Sequence, residues 1–121
     1  MAAGEGTMAS LGQDGRFAIT VGFELADGAF ETFHRLVSEN AALSVEREPD
    51  CLRFDVLTPL EPGQDGTHVL LYEIYRDRAA FDRHLATSHY LSFDQKTRGI
   101  VRKKTVLACA VQENAKPGDG A

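Results

Sequence analysis

Hydrophobic and polar residues alternate from Arg16 to Leu25, so that Phe17, Ile19, Val21 and Phe23 share one face of an extended segment. Gly22 falls on the opposite face, where a missing side chain leaves room for a ligand or a bulge. The period then changes. Phe30, Phe33, Val37, Ala41 and Ser44 recur at helical spacing, with Asn40 on the same stripe and Asp27 placed to cap the N-terminus. Pro49 disfavours helix at the residue before it, so the helix is expected to end near Glu48-Pro49-Asp50. Leu52 to Leu57 reads as a second strand, and a loop with Pro59, Pro62, Gly63 and Gly66 leads to a third, His68 to Tyr75. Asp77 can cap a helix bearing Ala80, Phe81, His84 and Leu85. Thr87-Ser88 marks a break, after which His89 to Arg98 returns to helix and Val101 to Val111 forms a last strand.

The order strand, helix, strand, strand, helix, strand is that of a ferredoxin-like α+β fold, a four-stranded antiparallel sheet with its helices on one face. The third strand carries Val69 and Leu71 on one side and Leu70 and Ile74 on the other, so both of its faces want cover. A second copy of the same sheet is the simplest cover for the helix-free face, and a homodimer is expected. The folded domain is expected over residues 16–112. Residues 1–15 and 113–121, rich in glycine and poor in large apolar groups, are expected to be disordered tails.

Composition narrows the function classes. At 121 residues there is room for one domain, and a 43% hydrophobic content is ordinary for a globular chain. A net charge of -5 and the lack of tryptophan argue against nucleic acid as a partner. No apolar run suits a membrane span and no secretory signal is visible, which points to the cytoplasm. Cys51 and Cys109 match no metal or redox spacing and are expected as free thiols. Gly-rich phosphate loops, His-Glu-x-x-His and nucleophile elbows are missing. Neither a metal nor a cofactor is expected.

Several residues carry candidate chemistry. His84 shares a helix face with Phe81 and Leu85, and His89 follows five residues on; either imidazole suits proton transfer near neutral pH, or a structural tie between the two helices. Glu73 lies mid-strand among Val69, Leu71 and Tyr75, where a carboxylate must find a partner or bind its proton more tightly. It can serve as a base, orient a histidine, or pair with Arg53. Tyr75 is the expected pocket tyrosine, Phe54 and Phe93 are core or pocket wall, and Asn40 can hold a substrate oxygen. Arg98, Arg102, Lys103 and Lys104 form the one basic patch, either a solvated edge or an anion clamp through Arg102.

Leu52-Arg53-Phe54-Asp55-Val56-Leu57, Leu71-Tyr72-Glu73-Ile74-Tyr75, Ala80-Phe81-Asp82-Arg83-His84 and Ser88-His89-Tyr90 together resemble the antibiotic-biosynthesis monooxygenase domain family. The resemblance runs from about Arg16 to Val111. It implies a dimeric α+β barrel with one pocket per subunit, acting on quinol-like or dicarbonyl substrates without metal or flavin. On that footing His84, His89 and Glu73 are the expected catalytic residues, with Asn40, Phe54, Tyr75, Phe93 and Arg102 around the substrate. Arg53 to Leu57, His89-Tyr90 and Arg102-Lys103-Lys104 resemble the family's isomerase of a phosphorylated dione. That branch has a histidine directly after the asparagine, where this chain has Ala41. A haem-degrading relative would use a tryptophan, and this chain has none. The expected function is a cofactor-independent monooxygenase of a small quinol-like or enolisable substrate; an isomerase of a small phosphorylated dicarbonyl and a barrel that only binds a small ligand are the alternatives.

Overall fold

The alternation of residues 16–25 is the greater part of a longer strand, β1 (Gln13–Leu25), in a computed structural model that describes residues 13–60 and 66–114. After it come helix α1 (Phe30–Arg47), strands β2 (Cys51–Leu57) and β3 (His68–Tyr75), helices α2 (Arg78–His84) and α3 (Ser88–Thr97), and strand β4 (Val101–Gln112). The expected tails outside residues 13–114 lie beyond the described residues. The strand begins at Gln13 because that residue pairs with Gln112 of β4, across an irregularity that ends at Phe17.

The four strands form one antiparallel sheet in the order β2-β3-β1-β4. This is the expected ferredoxin-like arrangement. Among the described residues no helix is long and apolar enough to cross a membrane.

Asp27 does not cap α1. Gly28 adopts φ +76°, a conformation that costs glycine little, and the resulting turn closes through the Ala29 N–H on the Ala26 carbonyl. That turn leaves Asp27 in solvent and puts Ala29 at the cap position, with no side-chain cap. At the other end the expectation holds. Arg47 is the last helical residue, and Glu48, ahead of Pro49, turns to extended backbone (φ -104°, ψ 105°) while its N–H still bonds the Ser44 carbonyl.

The strand register sets the two faces. Phe54, Glu73, Ile19 and Ala108 lie side by side across the sheet, followed by Val56, Leu71, Val21 and Val106. This face packs Ile19, Val21, Phe23, Val69 and Leu71 against Phe33, Val37 and Phe93 of the helices. Burying side chains of this size supplies about 1.5–3 kcal/mol each and is the main force holding helices to sheet. The opposite face has no helix. There Leu57, Leu70 and Leu107 remain 47%, 43% and 60% exposed. Gly22 lies on this side between Leu70 and Thr105, with open space where a side chain would stand.

Candidate active site

Helix α2 ends where the chain must turn twice within four residues, and that joint aims the histidines. Asp77 accepts the Ala80 N–H at 2.9 Å and starts α2 as expected. Thr87 closes it: its hydroxyl donates to the His84 carbonyl at 2.7 Å and accepts the Tyr90 N–H at 3.2 Å, so one side chain ends α2 and caps α3. His84 thereby sits in the last turn of one helix and His89 in the first turn of the next, with ring centroids 6.0 Å apart.

Between them stands a residue read from sequence only as a helix terminator. Glu48 Oε2 lies 2.9 Å from His84 Nδ1 and 2.5 Å from His89 Nε2. Released from α1 by Pro49, Glu48 is free to take this place. The expected role of Glu73 as orienter of a histidine therefore belongs to Glu48.

The sheet and helices line a half-open cavity of about 260 Å³. Its wall is mostly apolar, with Ile19, Val21, Phe54 and Phe93 among the lining residues, and its polar groups are Asn40, Glu73, His84, Tyr90 and Lys104. Of the expected site residues, Asn40, Phe54, Glu73, His84 and Phe93 meet here. Three do not. Tyr75 is fully buried beneath α2, packed on Phe81 and His84 at centroid distances of 5.3 and 5.5 Å, and reaches the site only through Glu73. Tyr90 is the tyrosine on the wall. His89 faces a second hollow between α1 and α3, lined by Leu43, Arg47, Ser92 and Lys96 among others. Arg102 lies outside, largely exposed and 3.9 Å from Asp27. Lys104 takes the place expected of it, because it pairs with Phe23 on the helix-facing side; its Nζ lies 5.7 Å from the Phe23 ring centre and 5.8 Å from that of Tyr90.

Glu73 accepts the Tyr75 hydroxyl at 2.6 Å and has no ion pair with Arg53. Register explains this: Arg53 pairs with Ile74 and so faces the other side of the sheet, where it holds Asp55 at 2.6 Å. Burial pushes the Glu73 carboxyl up to about 7; the Tyr75 hydrogen bond and Lys104 oppose the rise, and Glu48 adds to it. Burial likewise raises the Tyr75 hydroxyl, with the Glu73 charge beside it, so the phenol stays protonated. His84 is held below the usual imidazole range by burial, and the Glu48 carboxylate restores only part of that. Cys51 is buried and its thiol is pushed up to about 12, chiefly by burial, which leaves it inert as a nucleophile.

Two polar features remain open in the cavity wall. Asn40 is 3% exposed and its Oδ1 has no hydrogen-bond partner. His84 has its Nδ1 on Glu48, while its Nε2 has no hydrogen-bond partner among the described residues. A buried unpaired amide oxygen costs about 1–3 kcal/mol, a deficit that a donor on a bound molecule removes.

The sequence profile of the antibiotic biosynthesis monooxygenase family matches residues 16–96. Several solved structures share the fold. A Nitrosomonas europaea protein with the provisional name antibiotic biosynthesis monooxygenase is 25% identical at a TM-score of 0.72, over 78% of this chain and 88% of that one. A Mycobacterium tuberculosis protein is 24% identical at 0.73, covering 84% and 99%. A Bacteroides thetaiotaomicron protein with the same provisional name is 20% identical at 0.75, covering 87% and 99%. No curated protein matches the chain.

Proposed function

The chain belongs to the antibiotic biosynthesis monooxygenase family, and on that premise we propose that it oxygenates a small quinol-like or enolisable aromatic compound, with Glu73 as the base. The observation that carries this reading is the buried Glu73 carboxyl in the wall of an apolar cavity, where loss of water pushes its pKa up to about 7, the poise that suits general-base catalysis at neutral pH. The two histidines expected as bases take other parts. His84 offers Nε2 to a substrate oxygen, and His89 stands behind it across Glu48.

The reaction is balanced by dioxygen alone. Glu73 takes a proton from an activated CH₂ next to a carbonyl or phenol ring. The resulting anion, stabilised by Lys104, gives its electrons to O₂ and forms a C–O–O⁻ group. Glu73 returns the proton to give a hydroperoxide. The second proton then leaves the same carbon, its C–H electrons form the C=O and break the O–O bond, and the departing hydroxide takes up that proton and leaves as water. The substrate supplies all the electrons, so the chain's task is to hold the anion and exclude bulk water. The apolar wall suits the ring. A cavity of about 260 Å³ falls just under the roughly 300–1,000 Å³ of drug-sized ligands, so one or two fused rings are the expected size.

An isomerase of a small dicarbonyl would open with the same proton abstraction. Its phosphate clamp finds little support: Arg98 is taken by Asp94 at 2.6 Å, and Arg102 stands outside the cavity near Asp27. The exposed leucines of the helix-free face support the expected homodimer, in which a second sheet covers them.

Oxygen uptake by the purified protein against a panel of one- and two-ring enolisable phenols tests the function. One O₂ consumed per ketone formed, with ¹⁸O from ¹⁸O₂ in the product, is the expected result. Turnover of a dicarbonyl with no oxygen uptake would replace the oxygenase by the isomerase.

A further inference from the structure

Behind the cavity wall, Glu48 from the turn after α1 meets His84 of α2 and His89 of α3, and a ligand-type atom of each lies within 4.8 Å of the others. We propose that these residues form a site for one first-row divalent cation of the zinc kind, held by the Glu48 carboxylate, His84 Nδ1 and His89 Nε2. The proposal stands apart from the oxygenase reading, since it concerns what the cluster binds and not what the cavity turns over.

The donor chemistry selects the ion. Two imidazoles and one carboxylate suit Zn²⁺, Co²⁺, Ni²⁺ or Fe²⁺, while Ca²⁺ and Mg²⁺ favour sets of oxygen alone. Three protein ligands leave one position of a tetrahedron open for water or another small ligand.

Placement favours the site as well. His84 and His89 side chains are only 2% and 5% exposed and that of Glu48 13%. Their rings are inclined at 55° instead of stacked, and the two nitrogens meet at one carboxylate oxygen, Oε2. Oε1 of Glu48 has no hydrogen-bond partner among the described residues. Metal bonds of about 2.0–2.1 Å set tetrahedral donors about 3.3 Å apart. The Glu48–histidine separations of 2.9 and 2.5 Å therefore need to widen by only a fraction of an ångström to under one. A small rotation of the Glu48 side chain, with Oε1 unengaged, widens those two separations, while the two histidine nitrogens, within 4.8 Å of each other, close on the ion by a movement of their rings.

Occupancy would change the cavity wall. With Glu48 as acceptor, His84 carries its proton on Nδ1 and presents a lone pair at Nε2. A cation on Nδ1 displaces that proton and forces the tautomer with N–H at Nε2, so His84 becomes a hydrogen-bond donor toward a bound oxyanion.

The full chain, stripped with EDTA and dialysed, is titrated with Zn²⁺ by calorimetry and with Co²⁺ by visible absorption. One ion per chain, a four-coordinate Co²⁺ spectrum, and an affinity at least about 100-fold weaker in Glu48→Gln and His89→Gln are expected, since loss of a direct ligand exceeds the roughly 10–100-fold cost of losing an outer-shell partner. His34→Gln, at an exposed position outside the cluster, leaves the affinity unchanged. Should the cluster variants fail to fold, ¹⁵N NMR of the wild-type imidazoles decides: Zn²⁺ must shift His84 Nδ1 and His89 Nε2. No saturable binding, equal affinity in the folded variants, or unmoved ring nitrogens would overturn the site and leave a purely hydrogen-bonded cluster.

Discussion

The Tyr75 hydroxyl donates to Glu73 Oε1 at 2.6 Å, between two residues on the same face of β3. Alternation brings them together, since residues two apart on a strand point the same way. Their burial differs in effect. Tyr75 is fully enclosed and stays a donor, while Glu73 reaches the cavity and is held at about 7 by loss of water. One neighbour thus keeps the carboxylate accessible as an ion without removing it from the site.

Tyr75→Phe takes away a hydrogen bond to the charged form and little volume. The Glu73 carboxyl then rises further, and the ascending limb of the pH–rate profile moves up by about one unit, the equivalent of one charged hydrogen bond. Initial rates of oxygen uptake between pH 5 and 9 check this; an unmoved limb would mean that Tyr75 does not tune Glu73.

Glu73→Gln changes how stability depends on pH. A folded pKa of about 7, raised above the ordinary carboxylate value of 4.5, means that Glu73 favours folding while protonated. That contribution is full below the unfolded value and fades as pH rises through about 4.5 to 7. The variant, with no charge to bury, is therefore more stable than the wild type at pH 8 by roughly 2–3 kcal/mol and gains little or nothing at pH 4. The charged and titratable groups facing Glu73 (Tyr75, Lys104, Glu48 and His84) are kept in both proteins. Denaturant melts at the two pH values, at one fixed protein concentration, measure the difference.

Lys104→Met removes the one lysine lining the cavity while retaining much of its apolar stem. Because Lys104 both lowers the Glu73 pKa and faces the expected anion, the limb shifts upward and the plateau rate falls, by about 10–100-fold on the scale of a lost anion-stabilising donor. A drop in affinity with an unchanged plateau would make Lys104 a binding group alone.

Leu107→Glu tests the association. Leu107 is 60% exposed on the helix-free face, opposite Thr20 of β1. Sedimentation of the wild type should give twice the mass of one chain at micromolar concentration, and the variant should sediment as a single chain. A monomeric wild type would contradict the dimer.

Most of the fold could be read from periodicity. Phe17, Ile19, Val21 and Phe23 alternate as cleanly in space as in sequence, and Asp77 and Pro49 mark boundaries because their chemistry is local. Asp27 misleads for a nonlocal reason: the turn at Gly28 and the bond from the Ala26 N–H to the Ile100 carbonyl decide where α1 begins. The site was legible where one face was already known, as for Glu73, His84 and Asn40. It was not where placement depends on chain reversal. Glu48 reaches the histidines from 36 and 41 residues away. Lys104 instead of Arg102 follows from register shifts near Leu25, which no one-dimensional pattern records. Tyr90 displaces Tyr75 from the wall because α2 ends and α3 begins at Thr87.

The measurement closest to the centre of this account is the titration of Glu73 itself, by ¹³C NMR of side-chain-labelled glutamate, with the resonance identified by its loss in Glu73→Gln. The expected midpoint is about 7, moving upward in Tyr75→Phe. A midpoint near the ordinary 4.5 would mean that water reaches the carboxylate in solution, and Glu73 would then lack the poise of a base.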